Sequence, residues 1–125
     1  MKIFNNQNKL KKKLSSKDLT IGTWLTIPST EIVEILSTAG FEWLVIDLEH
    51  TTISLSEVKV LVKVIQGNNM KALIRISSNN ETEIKKVLDL GCDGIVVPMI
   101  KNKKEMEIAI KSTLYPPKGS RGVGL

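Results

Sequence analysis

Helix-start signals recur at nearly even spacing, and this repeat constrains the fold more than any other feature of the chain. Side chains suited to capping the first turn of a helix stand at Ser29, Ser54, Asn80 and Asn102. A glutamate follows three residues after each of the last three, which predicts reciprocal capping boxes. The spacings of 25, 26 and 22 residues leave room for one strand and one helix in each unit. Consecutive units of this kind predict a parallel sheet covered by helices.

Strand-forming segments alternate with these helices. We predict strands near 20–27, 43–49, 71–76 and 94–100. An open doubly wound sheet would need phosphate-binding glycines after its first strand, and residues 27–29 contain none. A complete (β/α)8 barrel needs about 250 residues, whereas this chain has 125. The predicted fold class is therefore α/β, with the first four βα units of a (β/α)8 TIM-type barrel, a truncated half-barrel.

A short basic leader accounts for the positive charge of the chain. The net charge is +5, and six lysines but no acids lie in the first 17 residues. Residues 18–125 contain 12 basic and 13 acidic residues, a net charge of −1. We divide the chain into a leader, 1–18, with a short helix near 8–16, and a partial barrel domain, 19–125. A confined basic arm favours a solvated leader over a nucleic-acid-binding surface.

Composition excludes several other classes of protein. The single cysteine, Cys92, allows no internal disulfide and no multi-cysteine metal site, and we interpret it as a small buried filler. No apolar run approaches the roughly 18 residues of a membrane span, and the start lacks the apolar core of a signal peptide. We expect a cytoplasmic protein with no membrane or nucleic-acid partner.

Ionisable residues cluster where the second and third predicted strands end. Asp47, Glu49 and His50 follow the apolar run 43–46, and Arg75 ends the next strand. The carboxyl ends of parallel strands carry the ligand sites of α/β folds. His50 is the only histidine, so any chemistry that needs an imidazole near neutral pH must use it. The sequence predicts that Asp47, His50 and Arg75 converge on one rim.

Plainer interpretations of the same residues remain open. Asp47 and Arg75, on adjacent strands, could simply pair with each other, and His50 could be a solvated loop residue. Glu49 is left outside the predicted site as a solvated rim charge. Asp89, near the end of a predicted helix, could be an ordinary surface residue.

Five segments, taken in order, carry a family resemblance. They are 39–50, which ends in Asp-Leu-Glu-His, then 73–75, 87–91 and 97–99, and finally 115–124, Tyr-Pro-Pro-Lys-Gly-Ser-Arg-Gly-Val-Gly. The glycines of the last segment alone would be a weak phosphate-loop candidate, because they follow a helix. Together the segments resemble the HpcH/HpaI family of metal-dependent pyruvate aldolases, which includes 2,4-dihydroxyhept-2-ene-1,7-dioate aldolase. The resemblance runs from about Gly22 to the end and implies a (β/α)8 barrel.

The resemblance also implies roles for individual residues. It points to His50 as general base, to Asp47 and Asp89 as its hydrogen-bonded partners, and to Arg75 as the group that binds pyruvate and supports the enolate. We therefore expect Asp89 close to His50. The family's divalent metal (Mg, Mn or Co) is held by a Glu and an Asp from the second half of the barrel. Those ligands would lie beyond Leu125, so we predict no metal held by this chain alone.

The predicted function is that of an aldolase, a carbon–carbon lyase that cleaves a 4-hydroxy-2-oxo acid to pyruvate and an aldehyde through a metal-stabilised enolate. The chain represents the amino-terminal half. Lys71 begins a strand rather than ending one, so a Schiff-base mechanism is not predicted. Two alternatives are a non-catalytic half-barrel that serves binding or assembly, and a citrate-lyase-like acid-processing barrel.

The half-barrel itself leads to expectations about the isolated chain. Its outer strands and its lumen face, with Trp24, Val45 and Val97 as candidates, would lack partners. We therefore expect a homo-oligomer, and we expect the 125-residue chain alone to be inactive.

Overall fold

The computed structural model describes residues 9–124, in which four strands alternate with helices. The elements are α1 (Lys9–Ser16), β1 (Gly22–Leu25), α2 (Thr30–Ser37), β2 (Trp43–Asp47), α3 (Leu55–Gly67), β3 (Lys71–Arg75), α4 (Glu81–Asp89), β4 (Gly94–Val96) and α5 (Lys103–Thr113). The sheet is parallel throughout, with the strand order β1-β2-β3-β4. The prediction of four parallel βα units is confirmed. The predicted leader helix matches α1, and residues 1–8 of the leader lie outside the described residues.

Helix starts lie where the sequence predicted them. The helices α2 to α5 are capped by Ser29, Ser54, Asn80 and Asn102. Only Ser54 and Glu57 form the complete reciprocal box. Glu83 instead accepts from the backbone N–H of Ser77 at 2.9 Å, and Glu105 accepts from that of Lys101 at 2.8 Å. The other two predicted boxes are wrong in this detail, because their glutamates bond to donors in the preceding loops.

The strands end earlier than predicted, and local chemistry explains where. β2 stops at Asp47 because its side chain accepts hydrogen bonds from the backbone N–H groups of Glu49 and His50 and turns the chain. β4 is only three residues long and stops at 96 rather than 100. Pro98 has no N–H to donate to a sheet, and Met99 has a φ of 55°, which is left-handed backbone.

The helices α2 to α5 cover one face of the sheet, and the core lies between these helices and the sheet. Alternate strand residues join this core: Leu25, Leu44, Ile46, Ala72 and Ile74 are all buried in it. Strand residues of the opposite parity form what we call the inner face: Trp24, Val45, Asp47, Leu73, Arg75 and Val96. The prediction that Val97 lies on this face is wrong. Val97 packs against the helix-side core, because its neighbour Val96 is in register with Arg75.

Cys92 is a packing residue on the helix side of the sheet. Its Sγ lies 3.7 Å from the carbonyl oxygen of Val87, and it packs against the core cluster. Burial raises the pKa of this thiol to about 11. A thiol in this environment carries almost no thiolate near neutral pH, which agrees with its interpretation as a filler.

No helix within residues 9–124 is long and apolar enough to cross a membrane.

Replacing Ser54 by Ala should destabilise the chain by about 1 kcal/mol, the usual cost of losing an N-cap side chain. Ser54 accepts from the N–H of Glu57, and Glu57 in turn accepts from the N–H of Ser54. Ser56→Ala is the matched control, since Ser56 is exposed in the same first turn. Urea unfolding followed by circular dichroism measures both. Equal stability of the two variants would contradict the role of the box.

Candidate active site

An ion pair between neighbouring strand ends forms the centre of the candidate site. Asp47 is the last residue of β2 and is directly in register with Arg75, the last residue of β3. The Arg75 Nε donates to Oδ1 of Asp47 at 2.9 Å, and Nη2 donates to Oδ2 at 2.7 Å. This fork geometry is the strong, oriented form of a carboxylate–guanidinium pair. The Asp47–Arg75 ion pair, which was one of the interpretations left open by the sequence, is therefore present.

Both partners of this pair stay charged. The hydrogen bonds from Arg75 lower the pKa of Asp47 below its usual range, and the N–H groups of Glu49 and His50 lower it further against the effect of burial. The same pair raises the pKa of Arg75. Asp47 is only 2% exposed, and both its oxygens accept hydrogen bonds. It can hold neighbouring groups in place, but its oxygens are not available to take a proton from a ligand.

Trp24 covers one face of the Arg75 guanidinium and was not among the predicted site residues. The guanidinium carbon lies 4.3 Å from the ring centroid, within cation–π range. With Trp24 on one face and Asp47 along one edge, Nη1 remains the open part of the fork. It makes no hydrogen bond within the described part of the chain. Nη1 is therefore available to donate to a ligand oxygen. Trp24 on β1 and Arg75 on β3 lie on the same face of the sheet with β2 between them, and this shared face is the signal that could have placed them together.

Glu49 links Arg75 to His50, although the sequence interpretation left it outside the site. Its Oε2 lies 3.3 Å from Nε of Arg75 and 3.7 Å from Nε2 of His50. This carboxylate is largely covered, whereas the imidazole side chain of His50 is 69% exposed. Asp47 binds the backbone N–H of His50 and not its ring. The structure thus brings Asp47, Arg75 and His50 to one rim, with Glu49 between the last two.

Asp89 does not join this rim within the chain, and the expectation that it lies close to His50 is wrong. Asp89 is the last residue of α4, which runs back from the carboxyl edge of the sheet to its amino edge. There it accepts a 2.7 Å hydrogen bond from Nη2 of Arg121. Arg121 is also stacked on Tyr115, 4.7 Å from the ring centroid. Asp89 lies at the opposite end because of the direction of α4, which the family resemblance did not take into account.

Residues 118–121 of the glycine-rich segment near the end of the chain offer no phosphate cradle. The backbone N–H groups of residues 118–121 all donate to carbonyl oxygens of Lys111, Leu114 and Tyr115. A phosphate loop needs such donors free and aimed at the ligand. These bonds instead close the segment onto the end of α5.

The described residues do not form a metal site by themselves. Among residues 9–124, no group of three or more His, Cys, Asp and Glu side chains is placed to hold a cation. The two carboxylates of the candidate site, Asp47 and Glu49, both face Arg75. A fixed positive charge beside these oxygens opposes a second cation there.

Comparisons with known proteins agree on one family. A family model described as HpcH/HpaI aldolase/citrate lyase matches residues 20–124. A 5-keto-4-deoxy-D-glucarate aldolase of Escherichia coli strain K12 is 36% identical over 118 residues, which are 94% of this chain and 46% of that protein. The chain thus spans about half the length of the curated relatives it matches.

Two solved structures indicate the same family and fold. An HpcH/HpaI aldolase from Desulfitobacterium hafniense DCB-2 matches with a TM-score of 0.84 and 33% identity, over 92% of this chain and 45% of that one. A structure described as citrate synthase SbnG matches with a TM-score of 0.85 and 30% identity, over 91% and 46%. Each likeness covers more than nine tenths of this chain, so its architecture agrees with that of the matched part of these proteins.

The Asp47–Arg75 pair should make stability depend on acid pH. A carboxyl group whose pKa is lowered by folding stabilises the protein fully above its unfolded pKa of about 3.9, and this contribution is lost as the pH falls through the lower folded pKa. Wild-type chain should therefore lose unfolding free energy below about pH 4. Asp47→Asn and Arg75→Gln should both flatten that slope, as measured by urea unfolding at a series of pH values. An unchanged slope in both variants would show that the pair does not carry the effect.

Proposed function

We propose, from the fact that the chain belongs to the HpcH/HpaI aldolase/citrate lyase family, that it provides the enolate-binding half of a carbon–carbon lyase. The reaction is retro-aldol cleavage of a 4-hydroxy-2-oxo acid to pyruvate and an aldehyde. The observation that carries the proposal is the Asp47–Arg75 pair, whose remaining donors open onto a rim that also holds His50. The partners are the small 2-oxo acid and the aldehyde.

Arg75 would supply fixed positive charge where the reaction develops negative charge. As the C3–C4 bond breaks, its electrons form the C2–C3 double bond and leave charge on the oxygen at C2. Asp47 holds the guanidinium by two hydrogen bonds and Trp24 covers one face, so it needs little rearrangement to accept that oxygen. Donors held in advance in this way stabilise developing oxyanions most effectively.

His50 would act as the general base that removes the proton of the C4 hydroxyl group, whose oxygen becomes the aldehyde oxygen. The protonated imidazole would then return this proton to C3 of the enolate, which gives pyruvate. The His50 ring is exposed to the rim and is not bonded to Asp47, so it is free to meet a substrate. Imidazole is suited to this step near neutral pH. Asp89 is left out of the proposed catalytic set, because it is bonded to Arg121 at the other end of the sheet.

A divalent metal (Mg, Mn or Co) belongs to the proposed reaction as the Lewis acid at the 2-oxo group. The described residues do not fit such an ion, since they form no cluster of ligands for it. We therefore assign no metal ligand to residues 9–124 and base no step on the ion.

A second candidate reaction is cleavage or formation of a citrate-type acid. The family description includes citrate lyase, and a structure described as citrate synthase is 30% identical to this chain. The same Arg75 fork would bind a carboxylate or enolate oxygen in either reaction. A non-catalytic binding or assembly module is the remaining alternative.

The proposal can be tested in a chimaera of residues 20–124 joined to the remaining part of the E. coli 5-keto-4-deoxy-D-glucarate aldolase. With Mg²⁺, Mn²⁺ or Co²⁺ it should release pyruvate from a 4-hydroxy-2-oxo acid. His50→Ala should lower kcat by about 10²–10⁴-fold, and Arg75→Lys, which keeps the charge but loses the fork, by about 10²–10³-fold. Lys59→Met, at an exposed position of α3, is the control that should leave kcat unchanged.

Each outcome of this experiment decides between the candidates. Cleavage of citrate-type acids but not of 4-hydroxy-2-oxo acids would favour the second reaction. A folded chimaera with neither activity would favour the non-catalytic module. Near-full rate in either variant would remove that residue from its proposed role. The 125-residue chain assayed alone should show no pyruvate release above background.

A further inference from the structure

Glu49 is a largely covered carboxylate at the candidate site that retains capacity to accept a hydrogen bond. Its Oε2 lies 3.3 Å from Nε of Arg75, but the single hydrogen of that nitrogen is donated to Oδ1 of Asp47 at 2.9 Å. The Glu49 side chain is only 18% exposed. A carboxylate that is covered to this extent is costly unless positive charge and hydrogen-bond donors satisfy it. Arg75 supplies positive charge, and its Nε hydrogen is engaged elsewhere.

The charged side chains at this rim leave one negative charge in excess. Asp47 and Glu49 both lie beside Arg75, so two carboxylates share one guanidinium. Asp47 forms the forked pair with Arg75, and the charge of Glu49 is therefore the one left over. His50, the only histidine of the chain, lies beside Glu49 and can take up a positive charge. An imidazolium at this place would make the rim neutral.

The imidazole ring of His50 presents its Nε2 to Glu49. Nε2 lies 3.7 Å from Oε2 of Glu49, which is longer than a hydrogen bond, so the neutral ring remains free to move. Hydrogen bonds between a cationic N–H and a carboxylate are shorter, about 2.7–2.9 Å. Because the His50 side chain is 69% exposed, little packing opposes the shift of about 1 Å that would close this bond once the ring is protonated.

We propose that Glu49 is the positioning residue of His50: it binds the Nε2–H group of the protonated ring and leaves Nδ1 as the nitrogen that exchanges protons with the substrate. This proposal rests on the lyase reaction proposed above. Nδ1 takes the proton of the C4 hydroxyl group, whose oxygen becomes the aldehyde oxygen. The same proton is then returned from Nδ1 to C3 of the enolate, so atoms and charges balance over the cycle.

A carboxylate beside a catalytic histidine acts in two ways. It fixes which ring nitrogen carries the hydrogen, and it stabilises the imidazolium that forms between the two proton transfers. Without Glu49, the imidazolium would form near the guanidinium of Arg75, and Asp47 is already engaged by that guanidinium. Like charges repel each other. Glu49 touches no reacting atom in this arrangement and acts through His50.

A double-variant cycle in the chimaera tests whether Glu49 acts through His50. Glu49→Gln keeps the shape of the side chain and removes its charge. It should lower kcat by about 10–100-fold, the effect of losing one charge-assisted hydrogen bond, and leave KM nearly unchanged, because Arg75 still binds the substrate. In the His50→Ala background the same change should have no further effect, since the two residues act as a unit.

Glu34→Gln is the matched control, because Glu34 is exposed on α2, and it should keep the kcat of the unmodified chimaera. Wild-type kcat in Glu49→Gln would overturn the proposal. A rise in KM alone would also overturn it, since Glu49 would then act in binding. An equal loss of kcat with and without His50 would overturn it as well, because Glu49 would then act independently of the imidazole.

Nuclear magnetic resonance of the full 125-residue chain tests the contact independently of activity. Since the chain contains a single histidine, its imidazole signals belong to His50. The three-bond couplings that report its χ1 angle should show averaging over rotamers at about pH 8 and one dominant rotamer at about pH 5.5, on either side of the ordinary imidazole pKa of about 6.5. Glu49→Gln should show averaging at both pH values.

The two experiments separate this proposal from the lyase reaction on which it rests. Equal ordering of the His50 ring in the wild-type and Glu49→Gln chains at the lower pH would overturn the contact, and so would averaging in both. An inactive chimaera, together with ordering that depends on Glu49, would overturn the lyase reaction and support Glu49 as the partner of the ring. An active chimaera without that ordering would overturn the role of Glu49 alone.

Discussion

The salt bridge between Asp47 and Arg75 is the interaction on which the candidate site depends. It exists because β2 and β3 lie side by side in parallel and end at the same level. A guanidinium on an otherwise apolar face would be costly without an anion, and a carboxylate that is 2% exposed would be costly without a cation. Each residue therefore offsets the free-energy cost of burying the charge of the other. The pair also sets where β2 ends, because the same carboxylate collects the first N–H groups of the following loop.

The scaffold that presents this pair is built from repeated local signals. Each of the helices α2 to α5 begins at a polar cap that accepts from its first turn, and each sends one apolar stripe onto the same face of the sheet. That leaves the opposite face to the residues of the other parity, among them Trp24, Asp47 and Arg75. The separation of a packed face from the inner face that carries the candidate site is thus a consequence of strand alternation.

Much of this could be predicted from the sequence, and the failures have physical reasons. Helix caps and strand alternation are encoded by residues that are close in sequence. The helix starts, the strand order and the contact between Asp47 and Arg75 follow from these patterns. The partners of Glu83 and Glu105 depend on loop conformation, which the capping pattern does not encode. Glu49 lies past the strand end, where alternation no longer gives a direction. Asp89 was placed by family resemblance, and the direction of α4 carries it away from His50 within the chain.

The different exposure of Arg75 and His50 has a consequence for the timescales of the site. The guanidinium is held by Asp47 and Trp24, so it is ordered before any ligand arrives. The imidazole, 69% exposed, is free to exchange rotamers on the picosecond to nanosecond timescale typical of surface side chains. Ordering it costs conformational entropy of about 0.5–1.5 kcal/mol when a ligand binds. Recognition would therefore begin at the rigid arginine, and the histidine would become ordered only after the ligand has been seated.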